Sequence, residues 1–211
     1  MNELTKYLTE TLPVDTKWSE LESYAAKHNI PIMDQVSMHF VLTLLQMRQP
    51  ETVFEVGTAI GYSSMRIASE LPHAVIDTVE KDESMVAIAN DNIKSYDYNQ
   101  QITVLHGDGL EVMNDLVAKD SSYDCIFIDA AKGKYNQFFE LADALLSPNG
   151  IILCDNILFR GYVAGTTSPE KKRLQKLTNK LREFNHSLLE NDRYKTSIIP
   201  IGDGVSLSVK R

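Results

Sequence analysis

Five short apolar runs, each closed by a polar or glycine-bearing stretch and followed by a helical pattern, leave this chain very few folds. The runs cover residues 52–56, 75–79, 102–105, 124–128 and 150–154. They are apolar nearly throughout, as strands are when helices cover both faces of a sheet. Helical spacing between them predicts helices near 62–71, 84–96, 110–118 and 135–146. Such alternation predicts an α/β architecture on a parallel sheet. Ser147-Pro148-Asn149-Gly150 predicts a turn before the fifth strand. A basic helix is expected over 169–189, and then a hairpin of 196–200 and 205–209 around Gly202-Asp203-Gly204. Upstream, Ser19-Glu20-Leu21-Glu22 matches a capping box, Asn29 and Pro31 close that helix, and Asp34 can cap the next. At 211 residues, one domain over 1–211 is expected, with N-terminal helices over 1–48 and a core over 49–211.

A net charge of −8 excludes a generally basic coat but allows a local basic patch, which is what a nucleic acid reads. Cys125 and Cys154 fall within expected strands and read as small buried apolar residues in a reducing compartment rather than as a disulfide. No apolar stretch approaches the length of a membrane span, and the start Met1-Asn2-Glu3-Leu4-Thr5-Lys6 lacks a signal pattern, so a cytoplasmic location without a membrane partner is expected.

The chemistry gathers at the expected strand ends. Asp129 follows the fourth run, and Asp155-Asn156 follow the fifth, 26 residues on from Asp129. Two carboxylates and an amide oxygen suit a hard cation such as Mg²⁺. Lys132 lies about one turn beyond Asp129 and can serve as a proton acceptor. After the first run, Glu55-Val56-Gly57-Thr58-Ala59-Ile60-Gly61 lets backbone approach a ligand beside a helix N-terminus. Its spacing differs from a dinucleotide fingerprint, and no phosphate-gripping Lys-Ser/Thr follows. The alternative is a plain strand-to-helix turn. Glu80 ends the second run, where an acid can accept from ribose hydroxyls, and Asp108, after the third, can accept from an adenine amino group. Either acid can instead cap a helix. Glu55, Gly57, Gly61, Glu80 and Asp108 together favour S-adenosylmethionine, a nucleoside without phosphate.

On these motifs (E-V-G-T-A-I-G-Y-S at 55–63, V-E-K-D at 79–82, G-D-G at 107–109, F-I-D-A-A-K at 127–132 and D-N at 155–156) the chain resembles the cation-dependent O-methyltransferases. That group includes catechol and caffeoyl-CoA methyltransferases. The resemblance implies a Rossmann-like class I S-adenosylmethionine-dependent fold: a seven-stranded, mostly parallel sheet with helices on both faces and an antiparallel strand from the last hairpin. It implies that Asp129, Asp155 and Asn156 hold Mg²⁺ or another divalent cation. Lys132 would be the catalytic base beside Asp129, and Met33, Ser63 and Asp129 would share the cofactor pocket. A homodimer is also implied, with Trp18, Leu21 and Tyr24 as candidate contacts.

Within the family, Pro31-Ile32-Met33, the 127–133 stretch and Ile199-Pro200-Ile201-Gly202-Asp203-Gly204 are similar to the bacterial branch that methylates 5-hydroxyuridine at the tRNA wobble position. Where plant relatives carry W-N-G, this chain has Phe159-Arg160-Gly161, which argues against an aromatic acyl-CoA acceptor. The expected partner is then a tRNA anticodon loop. Phe159 and Tyr162 would stack on a base, and Lys132, Arg160, Lys171, Lys172 and Arg173 would meet the substrate, with Lys176 and Lys180 further along. The alternatives are a flap packed on the core and a solvated helix face. A small catechol-like phenol remains a second acceptor, since it too offers two adjacent oxygens. A non-catalytic cofactor-binding or interaction module is the reading from another class.

Overall fold

The computed structural model describes residues 3–13 and 15–211. Met1, Asn2 and Val14, part of the expected helical region 1–48 and of the chain start, lie outside the described residues. Three helices, α1 (Glu3–Thr11), α2 (Ser19–His28) and α3 (Gln35–Arg48), precede the alternating part. There follow β1 (Thr52–Val56), α4 (Tyr62–Glu70), β2 (Val75–Glu80), α5 (Glu83–Ser95), β3 (Ile102–His106), α6 (Gly109–Ala118), β4 (Tyr123–Ile128), α7 (Tyr135–Leu145) and β5 (Leu146–Cys154). The chain continues through α8 (Lys172–Glu190), β6 (Tyr194–Ile199) and β7 (Val205–Lys210).

The seven strands lie in the order β3-β2-β1-β4-β5-β7-β6. All neighbours pair in parallel except around β7, which is antiparallel to both β5 and β6. This is the Rossmann-like sheet expected. Strand residues alternate between two cores. Val53, Cys125, Phe127, Ile151 and Leu153 face a core shared with Trp18, Met38, Met65 and Ile93 of the α2–α5 side. Phe54, Ile126, Ile128, Ile152 and Cys154 face another, shared with Met113, Phe138, Leu181 and Phe184 of α6–α8. Cys125 and Cys154 are therefore free, buried and in different layers, and burial pushes both thiols up to about 12. Among the described residues no helix is long and apolar enough to cross a membrane.

Asp34 caps α3 as its sequence indicated, accepting from Val36 N and Ser37 N at 3.1 Å, and Asn29 closes α2 in left-handed backbone. Other expectations need correction. Ser19 is the first residue of α2 and makes no cap; Glu22 is drawn away, accepting from Tyr62 Oη at 2.6 Å and from Gln35 Nε2 at 2.9 Å. Residues 147–150 do not precede β5 but bulge within it: Leu146 pairs with Tyr123 and Ile151 with Cys125. The last long helix starts at Lys172, since Lys171 is still extended (φ −89°, ψ 133°). Trp18 and Leu21 offer nothing to a dimer contact, because both are buried in the chain's own core; Trp18 stacks on Tyr96 with ring centroids 5.4 Å apart. Tyr24 remains exposed.

Candidate active site

The sheet's lateral hydrogen bonding continues one residue past the strands. Gly107 N donates to the Glu80 carbonyl (2.9 Å), Gly57 N to Val79 (3.0 Å), Asp129 N to Val56 (3.0 Å) and Asp155 N to Ile128 (3.1 Å). Residues far apart in sequence thereby form one row along the carboxyl edge. The strand order reverses direction between β1 and β4, the place where open α/β sheets leave a crevice for a ligand. A cavity of about 1320 Å³ lies there, lined by Met33, Gly57, Glu80, Asp108, Asp129, Lys132, Asp155, Asn156 and Arg160 among others.

The β1–β3 side of this cavity carries hydrogen-bond acceptors and a bare backbone wall. Gly57 sits at φ 109°, and a Cβ there would run into the Asp129 carbonyl oxygen, so only glycine closes this wall. Three backbone amides aim the Glu80 carboxylate: Oε2 accepts from Ala59 N at 3.0 Å, and Oε1 from Lys81 N at 2.8 Å and Asp82 N at 3.0 Å. Asp108 does double duty. Its Oδ1 caps α6 through Leu110 N at 3.0 Å, its Oδ2 lies 3.4 Å from Lys134 Nζ, and it still lines the cavity. The Leu110 amide bond, with Lys134, holds its carboxyl below the usual carboxylate range. Acid groups aimed into a cavity beside a bare backbone wall fit ribose hydroxyls and a base amino group.

Glu55, Gly61 and Ser63 do not line the cavity. Glu55 is fully buried behind Gly57, accepting from Ser63 Oγ and, at 2.6 Å, from Thr78 Oγ1. Thr78 in turn lies 2.7 Å from Thr58 Oγ1. This buried chain ties α4, β1, β2 and the glycine loop together. Burial raises the Glu55 carboxyl to about 7. Gly61 begins α4 at φ 82°.

On the β4–β5 side, Ile128 pairs with Cys154, so Asp129 and Asp155 are lateral neighbours. Asn156, in left-handed backbone at φ 60°, brings its Nδ2 to 3.4 Å from Asp129 Oδ1. Burial raises the Asp129 carboxyl against the pull of the Lys132 ammonium. Burial and then the Asp129 charge hold the Asp155 carboxyl well above the usual range. Among the described residues no group of three or more His, Cys, Asp or Glu side chains is placed to hold a metal. The donors are instead two enclosed carboxylates that repel one another and one amide oxygen, a set that suits a hard divalent cation. Lys132 Nζ stands 5.6 Å from the Phe159 ring centroid, and Phe159 packs edge-on to Tyr162.

Arg160 reaches the cavity wall, but Lys171, Lys172 and Arg173 stand exposed outside it, where the chain enters α8. Three contributors were missed in sequence. Tyr135 Oη donates to the Asp155 carbonyl at 2.8 Å, Asp34 lines the cavity besides capping α3, and Asp203 lines it from the last hairpin. Asp34 and Asp203 each carried a local signal, as a cap and within a turn, but nothing that pointed to the cavity; Tyr135 carried none.

The family description O-methyltransferase matches residues 13–211. A flavonoid 3',5'-methyltransferase of Vitis vinifera is 30% identical over 97% of this chain and 92% of its own length. A catechol O-methyltransferase of Niastella koreensis is 30% identical over 81% of this chain and 78% of its own length. Among solved structures, a Staphylococcus aureus protein bearing a caffeoyl-CoA O-methyltransferase name superposes with a TM-score of 0.92 at 30% identity, covering 100% of both chains. An O-methyltransferase of Bacillus cereus in complex with SAH gives 0.84 at 25%, covering 99% and 97%.

Proposed function

The chain belongs to this O-methyltransferase family, and from that premise we propose that it carries out cation-assisted methylation of the 5-hydroxyl of 5-hydroxyuridine in a tRNA anticodon loop. S-adenosylmethionine is the methyl donor, in keeping with the family and with the SAH-bound relative. The observation that carries the acceptor chemistry is one cavity lined by Asp129, Lys132, Asp155 and Asn156 together with Gly57, Glu80 and Asp108.

When bound, the cation supplies Lewis-acid polarisation of an acceptor oxygen and the donor supplies an electrophilic methyl carbon. The chain's own groups do the rest. Glu80 and Asp108 fix the nucleoside part of the donor, and Gly57 lets it sit against the sheet edge. Asp129, Asp155 and Asn156 would hold the cation, which suits an acceptor that presents two adjacent oxygens. O4 and the 5-hydroxyl of 5-hydroxyuridine are such a pair. The neutral amine form of Lys132, not the ammonium, would take the hydroxyl proton. Much of the acceleration then comes from holding the reactants in line, a contribution of about 7–11 kcal/mol when positioning is complete.

An RNA acceptor is favoured by the basic groups around this mouth in an otherwise acidic chain. Arg160 and Lys134 line the cavity, and Lys172, Arg173, Lys176 and Lys180 are exposed along the first half of α8. Phe159 packs on the core and against Tyr162, and neither ring lines the cavity, so the flap aromatics add nothing to this case. A wobble base is already displayed, so its extrusion costs little. A catechol-like phenol is the second reading, favoured by the Niastella koreensis relative.

The deciding experiment supplies the chain with labelled S-adenosylmethionine, Mg²⁺ and either 5-hydroxyuridine-bearing tRNA or catechol. Transfer to the tRNA is expected. Transfer to catechol alone moves the assignment to the second reading, and bound donor without transfer to either makes the chain a non-catalytic module. Lys132→Ala is expected to lower kcat by about 10²-fold or more with little change in KM, as for loss of a general base.

A further inference from the structure

The flap following Asp155 and Asn156 bends against its own preferences. Asn156, Phe159 and Arg160 have φ of 60°, 41° and 55°. Residues with side chains hold such backbone only where their surroundings enforce it. The enforcing element is the turn between β6 and β7. The Asp203 carbonyl accepts from Leu158 N at 2.8 Å and Phe159 N at 3.2 Å, and its Oδ1 accepts from Arg160 N at 3.2 Å. The Gly204 carbonyl accepts from Ile157 N at 3.0 Å. Gly204 itself, at φ 89°, sits so close to Leu158 that any Cβ would overlap that side chain. Two residues thus engage every flap amide from Ile157 to Arg160.

The flap has a second anchorage from the opposite side. Arg182 donates to the Tyr162 and Val163 carbonyls at 2.9 and 3.0 Å, and Asn185 Nδ2 to the Ile157 carbonyl at 3.0 Å. Loss of the Asp203 carboxylate therefore loosens the Phe159–Arg160 bend without detaching the segment. Phe159 is the ring facing Lys132, and Asp203 and Arg160 both line the cavity.

We propose that Asp203 is a positioning residue for the acceptor: its carboxylate, through the Arg160 amide, holds the Phe159 ring in place beside Lys132 and Arg160 at the cavity wall. The acceptor side of this inference rests on the methyl-transfer function proposed above.

Two measurements on the full chain test it. Peptide-level hydrogen exchange reads the clamp without any acceptor. Asp203→Ala is expected to speed exchange over 156–162 by roughly three- to ten-fold, the value of one lost hydrogen bond, and to leave 57–63 unchanged. Asp203→Asn, which keeps an acceptor oxygen, should restore protection. Equal exchange in wild type and Asp203→Ala overturns the proposal. Kinetics read the consequence: Asp203→Ala should raise KM for 5-hydroxyuridine-bearing RNA by roughly three- to ten-fold, with KM for S-adenosylmethionine unchanged and Asn restoring the wild-type value. A parallel rise in both KM values, or failure of Asn to rescue, marks a merely structural role and sinks the assignment. If the wild type leaves the RNA unmethylated, the acceptor reading fails by itself, and the exchange result alone upholds or overturns the clamp.

Discussion

Glu55 holds a carboxyl group inside the sheet, where burial raises it from 4.5 to about 7. The folded chain therefore binds this proton more tightly than the unfolded chain does. The stabilisation is complete below about pH 4.5 and is lost as the pH rises through about 7. Over that window the donor-free and cation-free chain should lose on the order of 3 kcal/mol from this group, and Glu55→Gln should flatten the loss. Urea unfolding at several pH values, comparing the two proteins, checks this. At the β4–β5 end of the cavity, Asp155→Ala should abolish cation-dependent turnover while donor affinity, measured by calorimetry, changes by less than about three-fold, since Glu80 and Asp108 stand at the ends of other strands. At this scale the sequence was read well where a residue's partner is a strand end. The acids at 80, 108, 129 and 155 needed only the alternation of elements to be placed. It was read poorly where the partner is remote: Glu22 left its expected cap for Tyr62, 40 positions away.

Elements follow the same division. β1 keeps its expected bounds, because Val53, Phe54 and Val56 in a five-residue run between turn signals already specify a buried strand. β5 begins earlier than its pattern indicates, because pairing of Leu146 with Tyr123 is a property of two strands and not of one segment. The helix α8 carries its hydrophobic residues Leu181, Phe184 and Leu188 inward and its lysines outward. If that outer face tracks an RNA backbone, Lys176→Glu combined with Lys180→Glu should weaken RNA binding and lower the slope of log K against log salt by about 2. Donor affinity should not change. Filter binding over a range of salt concentrations gives the slope, and an unaltered slope removes α8 from the interface.

For the molecule as a whole, two carboxyls held above their ordinary range link cation, proton and stability. Both bind a proton more tightly in the folded chain than in the unfolded one, so without a cation their contribution to stability should fall as pH rises above the ordinary carboxylate range. Since a cation binds the ionised form, it should raise Tm more at about pH 8 than at about pH 5.5. Thermal unfolding in Mg²⁺ and in chelator at the two pH values tests this, and equal shifts would count against a cation between Asp129 and Asp155.

The placement of β7 between β5 and β6 has a consequence for biosynthesis. A ribosome delivers β5, with Asp155 directly after it, long before the strand that covers its open edge. Every nascent chain must wait with that edge bare through the synthesis of α8 and β6, so the surroundings of Asp155 are completed only once β7 has emerged.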